Sequence, residues 1–402
     1  MLKYCLSVTI LLMLTASLGF SQDKNKDSIE GYRFTTLIEI PTTPMKDQHR
    51  SGTCWSFSTI SFLESELIRM GKPEMDLSEM FVVSKCYTAK ADKYVRLHGN
   101  ANFGPGGAFH DVTWAIKNFG IVPEEAYTGL VIGEKKPVHN EMDEVLKDYL
   151  DGVIKNKNKK LSPVWFDGFN GILDNYLGKI PEKFTYKGVD YTPLSFARTY
   201  MELNPDDYIE VGSYTHHPFY QMFSIEVPDN WLWDKIYNVP VDELIEIIDN
   251  ALANGYTVVW GADVSDKGFS TKDKGVAVVP EMDITEMSDS EISKWEKMSE
   301  KEQQEDLYKL DQPGKEKTIT QEMRQIDFDN YTSTDDHGMH IIGTAKDQNG
   351  TIYYKVKNSW GKYNDYDGYF YVSKPYVALR TIDIMLHKDA LPKKLSKKLN
   401  VN

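Results

Sequence analysis

Cysteine is scarce in this chain, with three residues in 402, at positions 5, 54 and 86. So few cannot build a disulfide framework or a cysteine-rich zinc site. Positive charge is also short: 46 Lys and Arg stand against 60 Asp and Glu, for a formal net charge of -14. That balance argues against nucleic acid or an anionic bilayer as the main partner. An uninterrupted apolar run of the ~20 residues a spanning helix needs is absent too, because the one near the N-terminus ends at Leu18, so stable membrane insertion is not expected. His110 and the pair His216-His217 have no partners at ligand spacing, and no metal or organic cofactor is implied. There are no internal repeats.

What is present begins with a leader. Lys3, the apolar stretch through Leu18 and the small residues Gly19 and Ser21 predict a secretory signal peptide over residues 1–21, with export of the remainder. Cys5 would leave with it, so the exported chain would hold Cys54 and Cys86 alone. One bridge between them is permitted, yet a helix of about five turns is expected to separate them. A thiol kept free outside the cytoplasm calls for a reason, and catalysis is one.

Residues 22–402 read as one large α+β unit. A helical lobe spans about 44–130, an insertion without sustained period about 131–235, a β lobe about 236–386 and a Lys-rich, solvated tail 387–402. Phe57, Ile60, Leu63, Leu67 and Met70 follow helical spacing from Trp55, and Gly71-Lys72-Pro73 stops them. Asp76-Leu77-Ser78-Glu79 has the spacing of a capping box and announces a second helix, and Ala108 to Asn118 predicts a third. Helices are also expected over Met142 to Ile154, Asp242 to Asn254 and the charged run Ser288 to Leu310. Strands are expected at Thr257 to Val264, Gly338 to Lys346, Ile352 to Lys357 and Tyr369 to Ser373, with Asn349-Gly350 as a hairpin turn. These strands predict a C-terminal antiparallel sheet or barrel.

Cys54 opens the first helix, where backbone N–H groups and the helix dipole favour thiolate over thiol. The alternative is a small buried hydrophobe, the usual fate of a free cysteine. Acyl transfer by a thiolate further requires a base, a group that orients it and donors for the oxyanion. Each has a candidate. His337 stands at the start of one strand and Asn358 at the end of its hairpin partner, so antiparallel pairing can bring them together. Gln48, six residues before Cys54, can return an amide to the helix start.

The blocks Gln48 to Ser58, Asp336-His337-Gly338 and Lys357-Asn358-Ser359-Trp360-Gly361 resemble the three signature segments of papain-family cysteine peptidases. That resemblance implies a two-lobed fold with Cys54 as nucleophile, His337 as general base and acid, Asn358 as its orienter and Gln48 in the oxyanion hole. It also implies that Gly106 and Gly107 line the substrate cleft and that Trp360 shields the Asn–His pair from water. Peptides are the implied substrates. Ser51 stands where secreted papains carry a disulfide cysteine, which leaves Cys86 without a partner. Gln-x-x-Ser-Gly-x-Cys-Trp, the long insertion and Trp260-Gly261-Ala262-Asp263-Val264 are similar instead to bleomycin hydrolase and bacterial aminopeptidase C. That subfamily implies homohexamers around an internal chamber and a C-terminal arm that restricts cleavage to N-terminal residues. The end of this chain does not carry an arm ending of that type. A papain-type endopeptidase and a noncatalytic peptide-binding protein therefore remain alternatives.

Overall fold

The computed structural model describes residues 31–270, 274–282, 285 and 287–401. The predicted leader lies outside them. Helix α1 (Cys54–Arg69) is buried on nearly every side and forms the axis of the helical half. Around it pack α2 (Glu79–Arg96), whose first turn is capped by the Ser78 hydroxyl accepting from the Phe81 N–H, and α3 (Phe109–Phe119). Helices α4 (Asn140–Ile154) and α5 (Trp165–Leu177) close the outer side of the same core, inserting Leu146, Leu150, Phe169 and Leu173.

The chain supplies strands throughout its length. In order they are β1 (Thr35–Glu39), the small hairpin β2 (Phe184–Tyr186) and β3 (Val189–Tyr191), then β4 (Tyr208–Gly212), β5 (Met222–Ser224) and β6 (Lys235–Asn238). There follow β7 (Val258–Ala262), β8 (Phe269–Ser270), β9 (Val276–Ala277), β10 (His337–Lys346), β11 (Ile352–Lys357), β12 (Tyr369–Ser373) and β13 (Thr381–His387). All but β2 and β3 join one sheet in the order β5-β6-β4-β13-β7-β10-β11-β12-β9-β8, with β1 added alongside β10. It is mixed, because β4 with β6 and β12 with β9 run parallel. The α+β fold is as expected, but the sheet is open: its ends, β5 and β8, do not pair, so no barrel closes. Strands β4 to β6 come from the segment read as an insertion.

Strand β10 crosses α1, and this crossing builds the site. Gly338 makes it possible, since a Cβ there would lie 2.8 Å from Ser58 Oγ and 3.0 Å from the Phe109 ring. Behind the crossing, the buried Lys357 Nζ donates to Thr43 O and Ser61 Oγ at 2.8 Å each, pinning the end of β11 to α1.

Two local expectations change. The charged run from Ser288 is two helices, Asp289–Trp295 and Glu300–Leu307, because Ser299 and Glu302 form a second capping box inside it. The tail is not free in solvent either. Residues Lys393–Leu399 form a helix that buries Leu395, Leu399 and then Val401 against the core of the helix Val241–Ala253. Lys398 Nζ reaches Glu243 at 2.6 Å. The four-residue spacing of the two leucines outweighs the lysines between them. Leu395→Ala is accordingly expected to lower the unfolding free energy by about 2–5 kcal/mol, measured by urea denaturation; an unchanged midpoint would return the tail to solvent.

Candidate active site

Cys54 is half-buried at the N-terminus of α1, with backbone N–H groups of Trp55 and Gly338 directed at its sulfur. Gly52 turns the chain into the helix with φ +64, and a Cβ there would strike Pro105 at 2.8 Å, so glycine is required on both counts. Upstream, Gln48 is buried and is tied to the segment after β11. Its N–H donates to Ser359 O at 2.8 Å, and its Oε1 accepts from Ser359 Oγ at 2.6 Å. With the amide oxygen engaged, the Nε2 donor is left for the cleft.

His337 and Asn358 meet across the β10–β11 hairpin, where His337 Nε2 donates to Asn358 Oδ1 at 2.7 Å. The same oxygen accepts the Ser359 N–H at 2.7 Å, which fixes the Asn358 side chain to its own loop. Because Nε2 carries the proton, Nδ1 is the basic nitrogen of the neutral ring. Trp360 stacks on that ring with centroids 4.5 Å apart and planes 24° apart. It covers the imidazole face and does not line the cleft that Cys54 opens onto.

Burial governs the electrostatics of both groups. It pushes the Cys54 thiol up to about 12, with repulsion from Asp335 and Asp229 adding to it and the two backbone N–H groups opposing. It pulls the His337 imidazole down to about 4, against the stabilising Asn358 bond. Neither ion is favourable alone in this setting. Cys54 and His337 line the same cleft, and burial favours the neutral form of each.

A cleft of ≈ 690 Å³ brings Gln48, Cys54, His337 and the glycine pair Gly106-Gly107 together. Gly107 is forced by contact, since a Cβ there would lie 2.6 Å from the buried Asp111 Oδ2 and 2.9 Å from the Trp55 ring, whereas one on Gly106 would have to displace the Asp229 carboxylate, 1.9 Å away. Trp55 Nε1 donates to Pro105 O at 2.9 Å and holds this strip against α1.

The other singled-out residues fall elsewhere. His340 is buried two turns further along α1, with Nδ1 3.0 Å from Ser61 Oγ. His110 pairs with Glu210 at 2.8 Å; burial opposes its charge, but Glu210, Asp111 and Asp234 override that and raise it to about 10. His216 and His217 both point at Glu226, a partner nine residues beyond the pair that spacing alone did not suggest. Cys86 is a free, buried thiol in α2.

Sequence reasoning passed over four residues at the site. Ser359 orients Gln48, and it was visible only as a member of its block. Asp229, Asp335 and Asp383 line the cleft. The signal for Asp383 was a carboxylate inside the apolar run Thr381-Ile382-Asp383-Ile384-Met385-Leu386.

Comparison with known proteins fits this arrangement. Residues 175–304 and 289–402 match the peptidase C1-like family, and residues 37–164 match the papain family cysteine proteases. Aminopeptidase C of Listeria monocytogenes is 24% identical, over 90% of this chain and 84% of its own. Cysteine proteinase 1, mitochondrial, of Saccharomyces cerevisiae is 23% identical, over 99% of this chain and 85% of its own. The crystal structure of PepW from Lactobacillus rhamnosis HN001 shares the fold with a TM-score of 0.66 at 19% identity, covering 91% of this chain and 84% of that one. The first family's matches together span residues 175–402, more than half of the chain, which therefore belongs to the peptidase C1-like family of cysteine-type peptidases.

Proposed function

We propose that this peptidase cleaves peptide bonds through a Cys54–His337–Asn358 relay and releases residues from the N-terminus of its substrates. One observation carries the relay: the 2.7 Å bond from His337 Nε2 to Asn358 Oδ1, on the wall of the cleft that Cys54 lines. His337 Nδ1 takes the thiol proton, and the Cys54 thiolate adds to the peptide carbonyl. The oxyanion is met by Gln48 Nε2 and the Cys54 N–H. The imidazolium then protonates the leaving amine, and water, activated by His337, hydrolyses the thioester. Asn358 keeps the ring in the tautomer that leaves Nδ1 basic.

Restriction to N-terminal residues is supported by the relatives named aminopeptidase C. A second reading, endopeptidase cleavage, is favoured by the C-terminal helix: among the described residues, none beyond Asp383 lines the cleft. Fluorogenic amides with free or acetylated N-termini separate the two. Free aminoacyl amides are expected to be hydrolysed at least about 100-fold faster than acetylated ones, because a free-amine site left unfilled costs heavily, and iodoacetamide should abolish the activity. Equal or better cleavage of acetylated peptides would give the endopeptidase. Export through residues 1–21 and assembly into homohexamers belong to the same proposal. Cell fractionation and light scattering test them, and a cytosolic protein or a stable monomer would remove each in turn.

A further inference from the structure

Carboxyl groups gather in the cleft beside Cys54. Asp383 is only 7% exposed, yet among the described residues no donor hydrogen-bonds to its carboxylate and no cation pairs with it. A buried carboxyl without a hydrogen-bond partner is costly and is seldom kept without a use. Its direction is built in. The register between β13 and β7 shifts between Thr381 and Ile384, and this bulge turns Asp383 toward the cleft. Gly261, opposite it on β7, supplies the space, since a Cβ there would lie 2.5 Å from Asp383 Oδ1.

Three further carboxylates line the same cleft, of which Asp336 is already engaged by the Val264 and Ser265 N–H groups and the Thr334 hydroxyl. Asp335 comes from the loop before β10, and Asp229, held by Asn102 Nδ2 at 2.9 Å, comes from the turn between β5 and β6 and rests on the bare backbone of Gly106. Nearby cations are already committed. His110 is bound to Glu210. Arg324 is buried and donates to the backbone carbonyls of Ser213, Ala378, Leu379 and Ile382. Lys90 is held by Gly104 O and Gly106 O beneath the glycine strip.

We propose that Asp383, with Asp335 and Asp229, forms a subsite that binds a cationic group of the peptide, an α-ammonium or a basic side chain, next to the bond that Cys54 attacks. The subsite rests on the peptidase reading and extends it to a substrate class. It gives this chain a way to recognise a free amine with side chains of its own cleft, while its C-terminal helix packs elsewhere.

The charge state supports the geometry. Burial raises the Asp383 carboxyl well above its usual range, and repulsion from Glu210 and Asp335 adds to it, with His110 and Arg324 opposing. Burial likewise pushes Asp335 up to about 7, helped by Asp229, Asp336 and Glu210. A bound cation favours the charged carboxylates, so it is taken up with proton release and binds better above pH 7 than below it.

Two substrate pairs test the proposal in the full chain. Alanyl amides with a free or acetylated amine probe the α-ammonium, and acetyl-arginyl-alanyl against acetyl-citrullyl-alanyl amides probe the side chain. At least one cationic member should exceed its neutral partner in kcat/KM by about 10- to 100-fold, mostly through KM. That ratio should fall toward unity in Asp383→Asn and shrink below pH 6. Asp335→Asn should weaken the pH dependence of the ratio and leave the part set by Asp383. Neutral partners cleaved as well as cationic ones by the wild type would overturn the subsite while leaving the peptidase reading intact. A separate readout avoids turnover: in Cys54→Ala, alaninamide or argininamide should raise the Tm, and in Cys54→Ala/Asp383→Asn it should not. Equal shifts in both proteins, or none in either, would also overturn it.

Discussion

Cys54→Ala is expected to lower kcat/KM for peptide amides by on the order of 10⁴-fold or more while the circular dichroism spectrum is retained, because the residue is the proposed nucleophile and only half-buried. His337→Ala should cost as much, since the two act as a unit. The second variant also reports on the thiol itself. Without an imidazole to accept its proton, Cys54 is left with burial and the repulsion of Asp335 and Asp229, both of which hold the thiol well above its usual range. Alkylation by iodoacetamide in His337→Ala should then be slow at pH 7 and rise about tenfold per pH unit through pH 9, following the thiolate fraction. In the wild type the neutral His337 can take the proton as the thiol attacks, so alkylation should be faster than in the variant and nearly flat from pH 5 to 8. The imidazole's low value, about 4, sets the acid limit. Only below that pH does solvent protonate the ring and block its uptake of the thiol proton. Equal alkylation rates for the two proteins at pH 7 would sink the proton-transfer account.

Much of the scaffold around this pair was legible because its signals are local. The capping-box spacing of Asp76 to Glu79 placed α2, although Ser78 is the residue that caps it, the apolar spacing after Trp55 placed α1, and Asn349-Gly350 placed the hairpin whose strands carry His337 and Asn358. Hairpin pairing is a short-range matter, so the juxtaposition of a strand start with its partner's end could be read before any fold was known. Long-range pairing could not. Strand β1 joins β10 across about 300 residues, and β4 to β6 reach the sheet from a segment with no sustained period. A sheet assembled from such distant pieces does not announce whether it closes, which is why the barrel was as plausible as the open sheet.

The acidic wall of the cleft was hidden for a different reason. All seven positions of β13 are buried, so the strand shows no alternation to detect. Asp383 breaks the apolar run at the place where the register also breaks. Local rules fail there because a charge inside a strand has no local compensation, and such failures concentrate at sites under functional demand. The opposite error occurred at the tail, where the number of lysines concealed the spacing of Leu395 and Leu399. Composition described the solvent face of that helix and missed the side that anchors it.

Gln48→Ala is expected to reduce kcat by about 10²- to 10³-fold with little change in KM, the cost of one oxyanion donor. The expectation follows from where the amide is held. Ser359 Oγ engages Gln48 Oε1 at 2.6 Å and Ser359 O receives the Gln48 N–H at 2.8 Å, so the side chain is fixed before substrate arrives. Ser359 belongs to the loop whose N–H also holds Asn358 Oδ1. One short segment thus orients both the oxyanion donor and the partner of the base. Ser359→Ala should therefore lose about tenfold in kcat, less than Gln48→Ala, because it frees the amide without deleting it. The double variant should be no worse than Gln48→Ala alone, since the hydroxyl acts through the amide. Gln48→Glu should not restore activity, because a carboxylate presents no donor and repels the oxyanion. A Gln48→Ala enzyme within about threefold of wild type in kcat would move the oxyanion site away from this residue. Additive losses in the double variant would instead give Ser359 a role of its own.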